Sequence, residues 1–121
     1  MQRILVIEDD EANMYLNRFI LEKHGFQVIV AQDGLSGVKL ALQEQPDLVI
    51  MDVQLPDING FDATRKIRQD KKGRDLKIIA LTSYAMAGDR EKALNAGCTG
   101  YMEKSIKPEL FIKELEKYLN D

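Results

Sequence analysis

A chain of 121 residues has room for one domain. Apolar residues make up 45% and charged residues 31%, an ordinary soluble globular balance with enough apolar side chain to form a core. The net charge is −3 with no basic tail, no apolar run approaches the roughly 18 residues of a membrane span, and a single cysteine cannot close an internal disulfide. Direct nucleic-acid binding and membrane insertion therefore have no support. The N-terminus enters a strand-like segment at once, without a signal-peptide pattern, so a cytoplasmic location is expected.

Short apolar runs alternate with stretches of helical periodicity. Arg3 to Ile7 predicts a buried strand. Asn13 to His24 predicts a helix on the spacing of Leu16, Phe19, Ile20 and Lys23, with Gly25 as its stop. Gln27 to Ala31 is a β-branched, strand-like segment. Leu35, Val38, Ala41 and Leu42 mark a second helix that starts behind Asp33 and Gly34. Leu48 to Met51 is an apolar strand ending at Asp52, Phe61 to Arg68 a third helix, and Ile78 to Leu81 a fourth strand. Gly88 to Ala96 is a weaker helix with a thin apolar stripe (Ala93, Leu94), closed by Gly97. Gly100 to Met102 is a short fifth strand, and Pro108 opens a last helix with Phe111, Ile112, Leu115 and Leu119 facing inward.

Five strand–helix units in succession, with continuously apolar strands, predict an α/β fold with a parallel sheet covered on both faces. Such sheets place ligands beyond the carboxyl ends of their strands, near the switch in strand order. Chemistry-bearing side chains collect at those ends. Strand 1 is followed by Glu8, Asp9, Asp10 and Glu11, strand 3 ends in Asp52, strand 4 ends in Thr82, and Lys104 follows strand 5. Carboxylates brought that close repel unless compensated. A hard cation with oxygen ligands supplies the compensation, and Mg²⁺ uses one or two carboxylates together with waters and phosphate oxygens. Asp52 is then placed as a nucleophile able to form an acyl phosphate, with Lys104 and Thr82 set to meet phosphoryl oxygens. Asp10 and Glu11 read as helix capping and a solvated turn instead, Cys98 as a small packed residue, and His24 as a helix-end residue.

The motifs V-I-E-D-D at 6–10, M-D-V-Q-L-P-D-I-N-G at 51–60, A-L-T-S at 80–83 and G-C-T-G-Y-M-E-K at 97–104 stand in this order along the chain. Together they resemble the receiver domain of two-component response regulators over nearly the whole length. A-M-A-G-D at 85–89 is similar to receivers of hybrid kinases and of the single-domain DivK type. The resemblance implies a flavodoxin-like (CheY-like) doubly wound (βα)5 fold of strand order 2-1-3-4-5, with residues 1–121 as one receiver domain. It implies Asp52 as phosphoacceptor and Mg²⁺ as cofactor, held by Asp9 directly, Glu8 through water, Asp52 and the backbone carbonyl of Gln54. It further implies that Thr82 and Lys104 contact the phosphoryl group, that Tyr101 is the aromatic whose rotamer follows Thr82, and that Gln54, Ser83 and Tyr84 occupy tuning positions, Gln54 and Tyr84 those that set dephosphorylation rates. The implied donor is a phosphohistidine on a sensor histidine kinase or a histidine phosphotransfer protein. A downstream protein target would read the face of helix 4, strand 5 and helix 5. Met1 and the lack of a trailing linker favour a complete single-domain regulator over an excised piece.

The chain departs from the family pattern at two places. Ser83 stands where the family often has alanine, and Ser105 where the lysine is normally followed by proline. A cis bond before a non-proline residue costs about 2.5–4 kcal/mol, against about 0.5–1 before proline. The 104–105 bond is therefore expected to be trans, with its loop shifted or more mobile. Lys107, which precedes Pro108, is the rival for the active-site lysine.

Other functions on such a fold are less well served. An aspartate-nucleophile phosphatase needs a second acid two residues after the nucleophile, where this chain has Gln54. A flavin carrier needs a Ser/Thr/Gly loop after strand 1, where this chain has four acids. The remaining alternative is a phosphorylation-independent protein-interaction module.

Overall fold

The computed structural model describes residues 2–83, 87–104 and 107–120. In chain order the elements are β1 (Arg3–Ile7), α1 (Glu11–Lys23), β2 (Gln27–Ala31), α2 (Gly34–Glu44), β3 (Leu48–Asp52) and α3 (Gly60–Gln69). A single 3-10 turn (Lys71–Gly73) follows, then β4 (Ile78–Thr82), α4 (Asp89–Ala96), β5 (Gly100–Glu103) and α5 (Pro108–Leu119). The strands form one parallel sheet of order β2-β1-β3-β4-β5.

The apolar runs dictate this order. β3 and β4 are buried at every position and β1 at all but Arg3, as expected for strands covered on both faces. β2, the least apolar, takes one edge and leaves Val30 exposed. Alternate residues serve opposite faces. Leu5, Ile7, Val49, Met51, Ile78, Ala80 and Tyr101 pack with Ala41, Ala63, Ile67 and Ala93 from α2, α3 and α4. Ile4, Val6, Leu48, Ile50, Ile79, Leu81 and Met102 pack with Leu21, Phe111, Ile112 and Leu115 from α1 and α5. Each fully buried Leu or Ile contributes about 1.5–3 kcal/mol over leaving it in water.

The inward face of α1 differs from the sequence expectation. Leu16 (53% exposed) and Phe19 (54%) point to solvent, Ile20 is half-buried, and Leu21 is the buried residue. The helix carries apolar residues on two faces, and periodicity alone does not say which one the sheet covers. The helix also starts earlier than expected, at Glu11, because the Asp10 side chain accepts the Asn13 amide at 3.0 Å. Leu35 and Leu94 are likewise exposed rather than inward, and Leu119 is half-buried.

Two features position the functional end of the sheet. Gly60, the first residue of α3, lies against the end of β3: a Cβ there would sit 2.3 Å from the Asp52 carbonyl oxygen. Arg68, near the end of α3, pins the far end of α4. Its Nε donates to the Gly97 carbonyl at 2.8 Å and its Nη1 to the Gly73 carbonyl at 2.7 Å. The start of α4, by contrast, has no side-chain cap.

The Gly60→Ala variant should lose about 1–3 kcal/mol of stability by overpacking against Asp52. Urea denaturation measures the loss, and amide chemical shifts should change first around residues 52–54.

Candidate functional site

The strand order reverses between β1 and β3, which opens a crevice beyond their carboxyl ends. The register pairs Ile7 with Met51, so Glu8 and Asp52 lie one step further at the floor of that crevice. Both are buried, at 2% and 4% exposure, while Asp9 is open to solvent. One carboxylate oxygen from each of Glu8, Asp9 and Asp52 lies within 4.8 Å of the others.

Lys104 reaches into this cluster from the end of β5. Its backbone amide donates to the Thr82 carbonyl at 2.7 Å, extending the β4–β5 ladder by one step. Its Nζ donates to Glu8 Oε1 at 2.7 Å and lies 3.4 Å from Asp52 Oδ1. Lys107 is exposed and stands at the N-cap position of α5 without a side-chain cap bond, so of the two candidate lysines only Lys104 meets the carboxylates.

The electrostatics follow from this packing. Burial pushes the Asp52 carboxyl up most strongly, and the hydrogen bond with Glu8 and the charge of Glu8 push it further. Lys104 and the Gln54 amide pull it down, yet the balance leaves it raised from 3.8 to about 7. Burial alone would lower the Lys104 ammonium. The hydrogen bond to Glu8 and the charges of Asp52 and Glu8 reverse this and hold it above its ordinary value. One lysine thus leaves two buried carboxyls only partly compensated. An all-oxygen donor set with surplus negative charge fits a hard divalent cation such as Mg²⁺.

The other expected residues surround this centre. The Gln54 amide donates to Asp52 Oδ1 at 3.3 Å, which sets the Gln54 backbone beside the cluster while its side chain is exposed. Thr82 is buried, and Ser83 after it is exposed. Ala80 pairs with Tyr101, and Thr82, two residues on, shares that face of the sheet. Tyr101 is buried, with the Arg90 guanidinium 5.7 Å from its ring centroid. Among the described residues its enclosed hydroxyl has no hydrogen-bond partner. Tyr84 and Ser105 lie outside the described residues, and the expected trans 104–105 bond with them.

Three comparisons bear on this arrangement. The model of the response regulator receiver domain matches residues 4–116. The chain belongs to the response regulator receiver family. This receiver is 37% identical to the polar-differentiation response regulator DivK of Brucella ovis, over 98% of this chain and 96% of DivK. It superimposes with a TM-score of 0.92 on the receiver domain of the Pseudomonas aeruginosa sensor histidine kinase PA1611, a structure with a magnesium ion coordinated in the active site cleft. That match has 36% identity and covers 99% of this chain and 98% of the other. A BeF3-activated receiver domain of Klebsiella pneumoniae RstA matches with a TM-score of 0.91 at 28% identity, over 99% and 100% of the two chains. Phosphorylation-based switching is the standard function of the family, and its receivers interact with histidine kinases and downstream targets. By family the receiver is not a classical enzyme.

Sequence reasoning missed three contributors: Arg90 over Tyr101, the Asp57 side chain described below, and the exposed rings of α1. The first two leave no periodic signal. The third was present as apolar residues on both faces of α1.

Two predictions follow from the buried groups. Unfolded Asp52 ionises near 3.8, whereas the folded carboxyl keeps its proton to about 7, so the folded state binds more protons in between. Its contribution to stability therefore falls as pH rises through that window. Asp52→Asn should stabilise the metal-free receiver by on the order of 2 kcal/mol at about pH 8 and by much less near pH 4. Urea denaturation in EDTA reads this out, and subtracting wild type from variant cancels the opposite slope of carboxylates such as Asp57. Removing the orphaned hydroxyl in Tyr101→Phe should raise stability by about 1 kcal/mol, read as an increased urea midpoint with unchanged m-value.

Proposed function

We propose that the receiver takes a phosphoryl group from a phosphohistidine donor onto Asp52, with Mg²⁺ held by Asp9, Asp52 and the Gln54 carbonyl and Glu8 acting through water. The observation that carries this reading is Asp52 itself: a buried carboxyl at the end of β3, with Lys104 Nζ 3.4 Å away and carboxylate oxygens of Glu8 and Asp9 within 4.8 Å. An Asp52 oxygen attacks phosphorus in line, the new O–P bond forms as the N–P bond of phosphohistidine breaks, and the imidazole, protonated on its other ring nitrogen, leaves neutral. Bound Mg²⁺ supplies charge neutralisation and a template for phosphoryl oxygens. Lys104 meets one phosphoryl oxygen by giving up part of its pairing with Glu8, and the Thr82 hydroxyl donates to another. Because Thr82 and Tyr101 share a face, movement of Thr82 opens space for Tyr101 and reshapes the surface of α4, β5 and α5 for a downstream protein.

The donor would approach over α1. Tyr15 (72% exposed), Leu16 and Phe19 form an exposed apolar strip on this helix, with the Tyr15 and Phe19 rings stacked at 6.4 Å. A cleft lined by Asn13, Leu16, Ile20, Lys104 and Phe111 joins that strip to the site. A kinase or phosphotransfer protein seated there presents its histidine directly to Asp52. Among the described residues no helix is long and apolar enough to cross a membrane, and we place the receiver in the cytoplasm, where such donors have their phosphohistidine.

Incubation with acetyl phosphate and Mg²⁺, followed by intact-mass measurement, should give one phosphoryl adduct that is absent in Asp52→Asn and in EDTA. Lys104→Ala should slow adduct formation by about a hundredfold, the scale for losing one preorganised donor to the transferring group, while Lys107→Ala reacts as wild type. No adduct from any donor in a folded, Mg²⁺-binding receiver would leave the phosphorylation-independent interaction module as the reading.

A further inference from the structure

The loop from Val53 to Asn59 connects the site to α3 and carries the Gln54 carbonyl. At its inner end the Gln54 amide is tied to Asp52 Oδ1, and at its return the Gly60 amide donates to the Val53 carbonyl at 2.7 Å. Between these points the loop reaches sideways to α2. Asp57 Oδ1 accepts the Gly34 amide at 2.8 Å, and Oδ2 accepts the Leu35 amide at 2.9 Å. Asp33 caps the next amide, Ser36, at 2.7 Å from within the helix's own chain segment. Two residues from separate parts of the sequence thus share the open N–H groups of one helix end. Burial works to raise the Asp57 carboxyl, and the amides of Leu35, Gly34 and Ile58 more than offset it, so it stays below its ordinary range and charged at neutral pH.

The docking is close. A Cβ on Gly34 would lie 2.6 Å from Ile58 Cγ1 and 3.2 Å from Asp57 Oδ1, so the loop rests on the first turn of α2 with no room for a side chain between them. Val53, Leu55 and Ile58 pack against the core on the same side. The segment is therefore held at three places: at Asp52, at the amides of α2 and where the Gly60 amide closes on the Val53 carbonyl. Of these, only the α2 tether depends on a single side chain in the loop itself.

We infer that Asp57 is a positioning residue for the metal site: by clamping the 53–59 loop to the N-terminus of α2 it holds the Gln54 carbonyl where a bound divalent cation can use it. This rests on the reading of the Gln54 carbonyl as a ligand. Asp57 touches neither the cation nor the phosphoryl group. It acts through the backbone of the two intervening residues, Leu55 and Pro56, as groups outside a metal's own ligands do when they orient those ligands.

The test compares three variants of the intact receiver by Mg²⁺ titration calorimetry and thermal denaturation. Asp57→Ala should weaken Mg²⁺ binding by about tenfold, the lower end of the range for losing a residue that orients a metal ligand. Asp57→Asn, which keeps one acceptor oxygen, should fall between that variant and wild type. Asp33→Ala is the control. It removes one negative charge and one cap from the same helix end without touching the loop, so it should lower Tm while leaving Mg²⁺ affinity within about twofold of wild type. Wild-type affinity in Asp57→Ala, or an equal loss in Asp33→Ala, overturns the inference. An Asp9→Ala arm separates the two levels: if it binds Mg²⁺ as wild type does, the metal reading itself fails, whatever the Asp57 variants show.

Discussion

Two carboxyls from neighbouring strands are buried side by side at the floor of the crevice, and one ammonium crosses from β5 to meet them. The parallel register imposes this. Once Ile7 pairs with Met51, the next residues of both strands must meet. Because β4 lies between β3 and β5, the chain following β5 can arch over the strand ends toward them. The arrangement is short of positive charge by construction. Replacing the group by an apolar residue would cost less than leaving it half-compensated. Its persistence in a fold whose other buried positions are almost all apolar marks the place where stability is given up for reactivity.

On the proposed reading, that shortage lets the same few residues serve as an acceptor and as a switch. A phosphoryl group adds negative charge to a centre already in surplus, so it is held only if cation and lysine move onto it together. In the proposed reaction Lys104 would shift from Glu8 toward the phosphoryl group, and the backbone that carries it lies next to Thr82 in the β4–β5 ladder. Tyr101 is nearby on that ladder, buried by Arg90 and core contacts yet with its hydroxyl unsatisfied. A side chain so placed has less to lose by moving than a fully satisfied one.

Much of this was legible in the sequence, because parallel central strands carry a strong signal. The runs R-I-L-V-I, L-V-I-M and I-I-A-L need no pairing partner to be recognised as buried, and the polar residue ending each one is a visible break. Asp52, Thr82 and Lys104 could therefore be put at one end of the sheet before any geometry was known. What could not be read was direction around a helix axis and contact across the chain. Leu16 and Phe19 have the spacing of a buried stripe and are exposed, because Leu21 on another face meets the sheet. Asp57 stands in a loop of turn-forming residues, and nothing near it in sequence shows that its two oxygens close the end of a helix more than twenty residues earlier. The 3-10 turn at Lys71–Gly73 was missed for a similar reason: three residues are too few to show a period.

Arg68 gives α4 a mechanical character. Its guanidinium fastens the Gly97 carbonyl to the end of α3, while the opposite tip of the helix, at Gly88, has no capping side chain. The Arg68 anchor holds the base, while the start keeps the looser contact of Arg90 with the Tyr101 ring. Eight residues make α4 about 12 Å long at 1.5 Å per residue, so a tilt of about ten degrees about the Gly97 fulcrum carries the tip roughly 2 Å. The base of the helix, where Ala96 and the following Cys98 are buried, stays almost still. Displacement is thus amplified toward the end of α4 nearest the carboxyl edge of the sheet and suppressed at the other, which gives the helix a pointer's geometry with its scale on the side of the reacting aspartate.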